Sequence, residues 1–186
     1  MSYPDTGRPT PEKHIQPFVQ QVKYVFKYMF LWEVDSEEPV YKDNWAPESF
    51  VSGMITLRGG IQGTIALGFS PPMACQLTSY LLERRIHQIN DDVSDAVREL
   101  TNTIVGRATP RLPNMSVRLS LPSVMIGRSR PIDYPRGMNP TLVTFFSSHG
   151  QFTLEVALRE VSTWGMESDS SLLTPPGTSR GSSVVF

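Results

Sequence analysis

The sequence is poor in the residue types that metal centres and disulfide frameworks need. It contains one cysteine, Cys75, among 186 residues, so neither an internal disulfide nor a cysteine-based zinc site can form. Its three histidines, His14, His87 and His149, lie far apart and include no pair at the spacing of metal ligands. We therefore expect no tightly bound metal ion. A single thiol also agrees with a reducing compartment.

An excess of charge of one sign and a long apolar run are also missing. Lysine and arginine number 17 against 18 acidic residues, a net charge of −1, so the chain lacks the positive field that non-specific binding to nucleic acids or anionic membranes requires. The longest apolar stretch, VFKYMFLW, is interrupted by Lys27 and is much shorter than the roughly 20 residues of a membrane-spanning helix. The opening MSYPDTGRPTPEK lacks the apolar segment of a signal peptide. We expect a cytoplasmic protein that inserts into no membrane and binds no nucleic acid. It would recognise its partners through a limited part of its surface.

The composition supports one folded core. Apolar residues make up 39% of the chain and charged residues 19%, a balance typical of a globular domain. We expect this domain at residues 13–161, between a proline-rich disordered tail, residues 1–12, and a flexible tail rich in Ser, Thr and Gly, residues 162–186. Residues 33–48 carry six acidic side chains and two prolines against Lys42 alone, which predicts an exposed acidic loop.

The spacing of apolar residues predicts three helices. The first spans residues 14–33. The second starts after the N-cap Ser70 and ends near residue 84, and the third starts after Asn90 and runs to about Gly106. The core-facing positions are expected to be Phe18, Val22, Phe26, Met29 and Phe30, then Met73, Leu77 and Leu81, then Val93, Ala96, Val97, Leu100 and Ile104.

Two hairpins are predicted by runs of β-branched and aliphatic residues that meet at turn residues. Gly59-Gly60 would form the first turn and Ser148-His149-Gly150 the second. The predicted strands are residues 50–58, 61–69, 141–147 and 151–159, with shorter extended segments inside 116–126. The order of these elements predicts an α+β domain in which helices pack on an antiparallel sheet.

The third helix contains the segment DAVRELTNTIVG, residues 95–106, which carries the polar residues of most interest. Glu99 and Asn102 are three residues apart and therefore point off the same side of the helix, with Asp95 one turn earlier. Arg98 lies three residues after Asp95 and can offset the repulsion between the two carboxylates. Acid and amide side chains on an outer helix face are often only a solvated surface, and the spacing does not exclude that interpretation.

This segment resembles the signature of the CheX and CheC chemotaxis phosphatases, which dephosphorylate response regulators of the CheY type. The family pattern is Asp or Ser, three residues, Glu, two residues and Asn, and Asp95, Glu99 and Asn102 match it. The blocks IQPFVQQVKYVF, LPSVMIG and VTFFSSHGQFTLEVAL resemble the family's opening helix, the strand after its motif and its closing hairpin. The resemblance covers roughly residues 14–160, and the single copy of the motif favours the CheX-like branch or a related single-site branch.

The resemblance implies a hydrolase acting on the phospho-aspartate of a CheY-like response regulator. Asn102 would orient the attacking water, and Glu99 would pair with the lysine of the regulator's phosphorylation site. The partner-binding surface would comprise Asp95, Arg98, Glu99 and Asn102. The protein would need no cofactor of its own, because the regulator would supply Mg²⁺. A homodimer through a free sheet edge is a further expectation, since relatives of this type form one.

Two alternatives to this function belong to other classes, a flagellar-switch-like assembly domain and an adaptor that binds the regulator without hydrolysis.

Other features of the sequence have simpler interpretations. The arginine-rich run from residue 107 to 136 is interpreted as surface charge, although it would also suit an acidic partner. Cys75 is interpreted as a core residue and His149 as exposed. The tryptophans, which we expect at the edge of the core, are Trp32, Trp45 and Trp164.

Overall fold

An antiparallel sheet forms the middle of the protein in the computed structural model, which describes residues 10–42, 49–113, 116–127, 132, 134 and 137–161. The helices of this part of the chain are α1 (Glu12–Met29), α2 (Pro71–Leu82) and α3 (Asp91–Ala108), with a short 3-10 helix, η1 (Thr109–Arg111). The strands are β1 (Asp35–Ser36), β2 (Val40–Tyr41), β3 (Val51–Gly59), β4 (Ile61–Phe69), β5 (Val117–Leu119), β6 (Ser123–Ile126), β7 (Thr141–Ser147) and β8 (Gly150–Glu160).

The strand order is β1-β7-β8-β4-β3-β5, with β2 also paired to β7 and β6 also paired to β3. Every pairing is antiparallel, and both predicted hairpins form, β3 with β4 and β7 with β8. Their registers place Leu57 opposite Gly63 and Phe145 opposite Phe152. The predicted α+β class, with helices packed on an antiparallel sheet, is therefore confirmed.

The three helices pack on one face of the sheet, where the main core lies. Alternate strand residues point to that face, so Ile55, Ile65 and Val156 are buried beneath the helices. Aromatic rings connect the layers: Phe26 of α1 stacks on Phe152 of β8 with 4.4 Å between ring centroids. Such a pair contributes about 0.5–1.5 kcal/mol beyond the area it buries.

The first helix ends earlier than the sequence predicts. Leu31 adopts a left-handed conformation with φ 57°, which turns the chain so that the Trp32 N–H donates to the Phe26 carbonyl at 3.1 Å. The helix therefore stops at Met29 instead of continuing to residue 33, and Met29 faces solvent with 40% of its surface exposed. The expected inner position of Met29 was wrong, because the core beside this turn is filled by Phe30.

Residues 33–42 keep their acidic side chains exposed, as predicted, but they are not only a loop. They supply β1 and β2, which extend the sheet beside β7. Lys42 is buried, and its Nζ lies 3.1 Å from Oε2 of Glu155 on β8, so this lysine forms an ion pair inside the protein. Residues 43–48 of the predicted loop lie outside the described residues.

A second, smaller apolar cluster lies on the face of the sheet away from the helices. Ile132, Tyr134 and Met138 pack there on Ala66 and Ala157. The hydroxyl of Tyr134 donates to Oε2 of Glu155 at 2.8 Å. Burial, and then the neighbouring carboxylate, raise the pKa of Tyr134 well above its ordinary value, so this hydroxyl stays a donor.

The described part of the predicted N-terminal tail is packed against the sheet. The Thr10 hydroxyl donates to the Val156 carbonyl and accepts from the Leu158 N–H, both at 2.9 Å. The helix α1 then begins at Glu12, so packed chain starts three residues before the expected boundary at residue 13. Residues 1–9 and 162–186, the remaining parts of the two expected tails, lie outside the described residues.

Candidate active site

The helix α3 is held on the sheet by its buried stripe, and this fixes which residues face outward. Asn90 caps its N-terminus, with Oδ1 accepting from the Val93 N–H at 3.1 Å. The predicted core positions Val93, Val97, Leu100 and Ile104 are all buried, while Ala96 is half-buried. The helix runs to Ala108, two residues beyond the expected end.

Gly53 lets α3 approach the sheet closely. A Cβ atom at this residue of β3 would lie 2.1 Å from Oγ1 of Thr101 and 3.0 Å from Cγ1 of Val97. Only a residue without a side chain fits under the helix here. This contact was not predicted, although an isolated glycine inside a strand pattern is a known signal of close approach.

The predicted site residues lie together on the outer strip of α3. Asp95, Arg98, Glu99 and Asn102 are all exposed. Glu99 and Asn102 are separated by about 4.5 Å along the helix axis, since each residue advances it by 1.5 Å. Gly106, one turn beyond Asn102, is also exposed, and a Cβ there would meet no atom within 4 Å. The carboxylate and the carboxamide thus border open surface.

Arg98 forms an ion pair with Asp95 and not with Glu99. Its Nη1 contacts Oδ1 of Asp95, with 45% of the Arg98 side chain and 72% of the Asp95 side chain exposed. Within the described residues, neither Glu99 nor Asn102 makes a side-chain hydrogen bond or an ion pair. Their polar groups are therefore available to a second molecule.

The arginine-rich run does not concentrate its charge on α3. Arg107 turns toward α1, where its Nε donates to Oε1 of the buried Gln21 at 3.2 Å and its guanidinium lies 4.7 Å from the ring centroid of Tyr24. Gln21 is not among the predicted core-facing positions of α1, yet it is buried and makes this contact. Arg111 follows α3 on η1, and Arg118 lies on β5. The remaining arginines of the run lie outside the described residues.

Trp32 packs at the edge of the core, as expected, but His149 is not fully exposed. The two rings stack with 3.9 Å between centroids and 8° between planes. They line a groove of about 360 Å³ beside α2, with Tyr80 and Arg84 among its other walls. Cys75 is buried in the core, as predicted, and burial raises the pKa of its thiol. Trp45 and Trp164 lie outside the described residues.

No group of three or more histidine, cysteine, aspartate or glutamate side chains in the described residues could hold a metal ion. Among the same residues, no helix is long and apolar enough to cross a membrane.

Comparison with protein families decides the relationship of this chain. Residues 51–146 match the model of the family described as chemotaxis phosphatase CheX. This chain belongs to the CheX family. The match contains β3, the whole of α3 and most of β7, and therefore the helix that carries Glu99 and Asn102. A search of the curated proteins finds no match.

Solved structures show the same CheX-type fold. A putative chemotaxis protein from Desulfovibrio vulgaris Hildenborough is 28% identical, with a TM-score of 0.71 over 82% of this chain and 100% of the other. The chemotaxis protein CheX from Desulfovibrio desulfuricans is 27% identical, with a TM-score of 0.71 over 80% and 99%. The complex of CheX, CheY, BeF₃ and Mg²⁺ from Borrelia burgdorferi matches at 22% identity, with a TM-score of 0.68 over 79% and 98%.

Proposed function

We propose that this CheX family member hydrolyses the acyl phosphate on the aspartate of a CheY-like response regulator, with Glu99 and Asn102 of α3 as its working pair. The observation that carries the proposal is the position of this pair: both side chains are exposed on one strip of a well-anchored helix, and neither has a partner within the described residues. The CheX structure from Borrelia burgdorferi, which contains CheY, BeF₃ and Mg²⁺, supports the choice of partner.

Asn102 has the chemistry needed to position water. A carboxamide is no base near neutral pH, but its C=O accepts and its NH₂ donates, so it can hold a water molecule in one orientation. Water attacks the phosphorus atom in line with the leaving carboxylate, and positioning supplies much of the acceleration of such a transfer. Because Asn102 lies on a helix packed over Gly53, its backbone is fixed before the partner docks.

Glu99 would fix the position of the partner. Its carboxylate has no ion-pair partner within the described residues, and Arg98, the preceding residue, binds Asp95. A lysine at the edge of the regulator's phosphorylation site would form a charge-assisted hydrogen bond with it. That contact sets the register of α3 against the regulator, so that Asn102, one turn along, reaches the phosphoryl group. Asp95 and Arg98 would extend the same docking surface.

We assign Mg²⁺ to the regulator, since this chain presents no cluster of metal ligands within its described residues. When bound there, the ion would neutralise charge on the phosphoryl oxygens. A cytoplasmic location would follow from this substrate. The homodimer remains a prediction.

The test follows phosphoryl loss from a regulator that has been phosphorylated by a small-molecule donor. We expect Asn102→Ala to slow the loss by about a hundredfold or more, because one positioning group is removed. Glu99→Gln should weaken productive docking and raise the regulator concentration at half-maximal rate. Matched controls are Gln20→Ala, an exposed carboxamide on α1, and Glu38→Gln, an exposed carboxylate before β2.

Three results would contradict the proposal. The first is the same rate of phosphoryl loss for Asn102→Ala and Gln20→Ala. The second is binding of the phosphorylated regulator by the unmodified protein with no change in phosphoryl lifetime, which would select the adaptor function. A domain that neither binds the regulator nor shortens its phosphoryl lifetime would instead fit a flagellar-switch-like assembly role.

A further inference from the structure

Three arginines lie in one row across the face of the sheet away from the helices. Arg118 of β5 lies opposite Arg58 of β3, and Gln62 of β4 lies opposite Arg159 of β8. Arg58 follows Leu57, whose partner on β4 is Gly63, so the register puts Arg58 beside Gln62. The row therefore reads Arg118, Arg58, Gln62 and Arg159 on four adjacent strands, with about 5 Å between neighbours.

Strand alternation determines the face on which the row lies. Leu57 and Leu158 belong to the core beneath the helices, so Arg58 and Arg159 point the opposite way. They share that face with Ala66 and Ala157 of the second apolar cluster. The row is therefore on the far side of the sheet from α3.

The three arginines are exposed, and no charged side chain among the described residues compensates them. Within the described residues, none of their guanidinium groups forms an ion pair or a hydrogen bond. Glu160, next to Arg159, is on the helix face and binds Lys13 at 2.5 Å. Glu155 is already bound by Lys42 and Tyr134.

Like charges directly opposite each other on paired strands destabilise a sheet. The chain as a whole has a net charge of −1, so this row is a local concentration and not part of a generally basic surface. An anion bound across the row would remove the repulsion.

The row borders a groove that can hold a small molecule. The groove has a volume of about 700 Å³ and lies at the end of the first hairpin, between Arg58 and Arg118. Ser116 and Ser120 also line it and alternate with Val117 and Leu119, so they share the side of Arg118. The Ser120 hydroxyl accepts from the Thr56 N–H at 3.0 Å, which holds this wall in place.

We propose that the groove and the arginine row bind a small anion with two or more linked phosphate groups. A guanidinium group donates two parallel hydrogen bonds to a phosphate, and two adjacent guanidinium groups match two linked phosphates. Arg159, two strands beyond Arg58, would contact a further phosphate. Inorganic polyphosphate and nucleoside polyphosphates share this chemistry. The binding is independent of the α3 site and of the function proposed for it.

The test is calorimetric titration of the full chain with tripolyphosphate, ATP and orthophosphate. We expect tripolyphosphate to bind at least about tenfold more tightly than orthophosphate, with an affinity that falls as salt rises. Arg58→Gln and Arg118→Gln should each weaken binding by about tenfold or more. Arg111→Gln is the matched control, because it removes the same charge from an exposed arginine on η1 and should leave the affinity unchanged.

Equal losses from Arg58→Gln and Arg111→Gln would overturn the proposal, because binding would then follow net charge alone. Equal affinities for tripolyphosphate and orthophosphate, or no binding of either, would also overturn it. Equal affinities for ATP and tripolyphosphate would identify the phosphate chain as the ligand, and tighter binding of ATP would add a contact to the nucleoside. Thermal unfolding of each variant checks that its fold is retained.

Discussion

Gly106 leaves the surface beside Asn102 open. It lies one turn further along the exposed strip of α3, and a Cβ there would meet nothing within 4 Å. A glycine inside a helix costs about 0.5–1 kcal/mol relative to alanine. The helix therefore carries a local instability that no contact with the described residues requires.

We predict that Gly106→Ala raises the free energy of unfolding by about 0.4–1 kcal/mol, because alanine restricts the unfolded chain and fits the helix. If the regulator packs beside Asn102, the new methyl group will also slow phosphoryl loss. Denaturant unfolding and the phosphoryl-loss assay measure the two effects. A stabilised variant with an unchanged rate would show that the partner does not contact this turn.

Single residues differ in how well the sequence predicts them. The exposure of Asp95, Glu99 and Asn102 was predicted correctly. The apolar face of α3 packs on the sheet, so the opposite face must point to solvent. Gln21 could not be assigned in this way, since its burial depends on a hydrogen bond from Arg107, 86 residues away. Such a contact can be identified only from the tertiary structure.

At the scale of elements, the contact between α3 and β3 positions the candidate site. Thr101 lies on the buried side of α3, and its hydroxyl donates to the Val97 carbonyl at 2.7 Å. This places Oγ1 where a side chain at residue 53 would be. A Cβ atom at residue 53 would force either the Thr101 side chain or α3 to shift, and a shift of α3 would displace Glu99 and Asn102.

We predict that Gly53→Ala destabilises the protein by about 1–3 kcal/mol through overpacking and lowers the rate of phosphoryl loss. Thr101→Ala removes the hydroxyl that the new methyl group meets, so the double variant should be more stable than the sum of the two single effects. Chemical unfolding of all four proteins measures this coupling. Gly106→Ala, the same change at an open helix position, is the control, and strict additivity would contradict the assigned contact.

Elements were predictable where one physical pattern decides them. The two hairpins and the capped starts of α2 and α3 follow from turn glycines and N-cap residues. The short strands β1 and β2 do not, because their acidic sequence is typical of a loop and only pairing with β7 makes them strands. The end of α1 was not predicted correctly either, since a leucine rarely adopts the left-handed conformation of Leu31.

At the scale of the molecule, the sheet separates two surfaces with different chemistry. One face carries the helices and the Glu99–Asn102 pair, and the other carries the arginine row and the second apolar cluster. The second face is held by buried polar contacts as well as apolar ones. Lys42 and Tyr134 both contact Oε2 of Glu155, and this joins β2, β8 and the segment before β7.

We predict that Lys42→Met destabilises the protein by about 3–5 kcal/mol, because it leaves the Glu155 carboxylate buried without its cation. The double variant Lys42→Met with Glu155→Gln should recover much of this loss, since no buried charge remains. Lys13→Met is the matched control. It breaks the Lys13–Glu160 pair, whose side chains are 59% and 40% exposed, and should cost less than about 1 kcal/mol.

Urea unfolding measures the stabilities. The phosphoryl-loss assay under native conditions shows whether a substitution on one face of the sheet changes the activity of the site on the other face. Because α3 packs on the opposite side of the sheet, the rate per folded molecule should be unchanged in Lys42→Met. A lowered rate in a fully folded Lys42→Met sample would mean that the two faces are coupled through the sheet. Equal destabilisation by Lys42→Met and Lys13→Met would mean that the Lys42–Glu155 pair is solvated in solution.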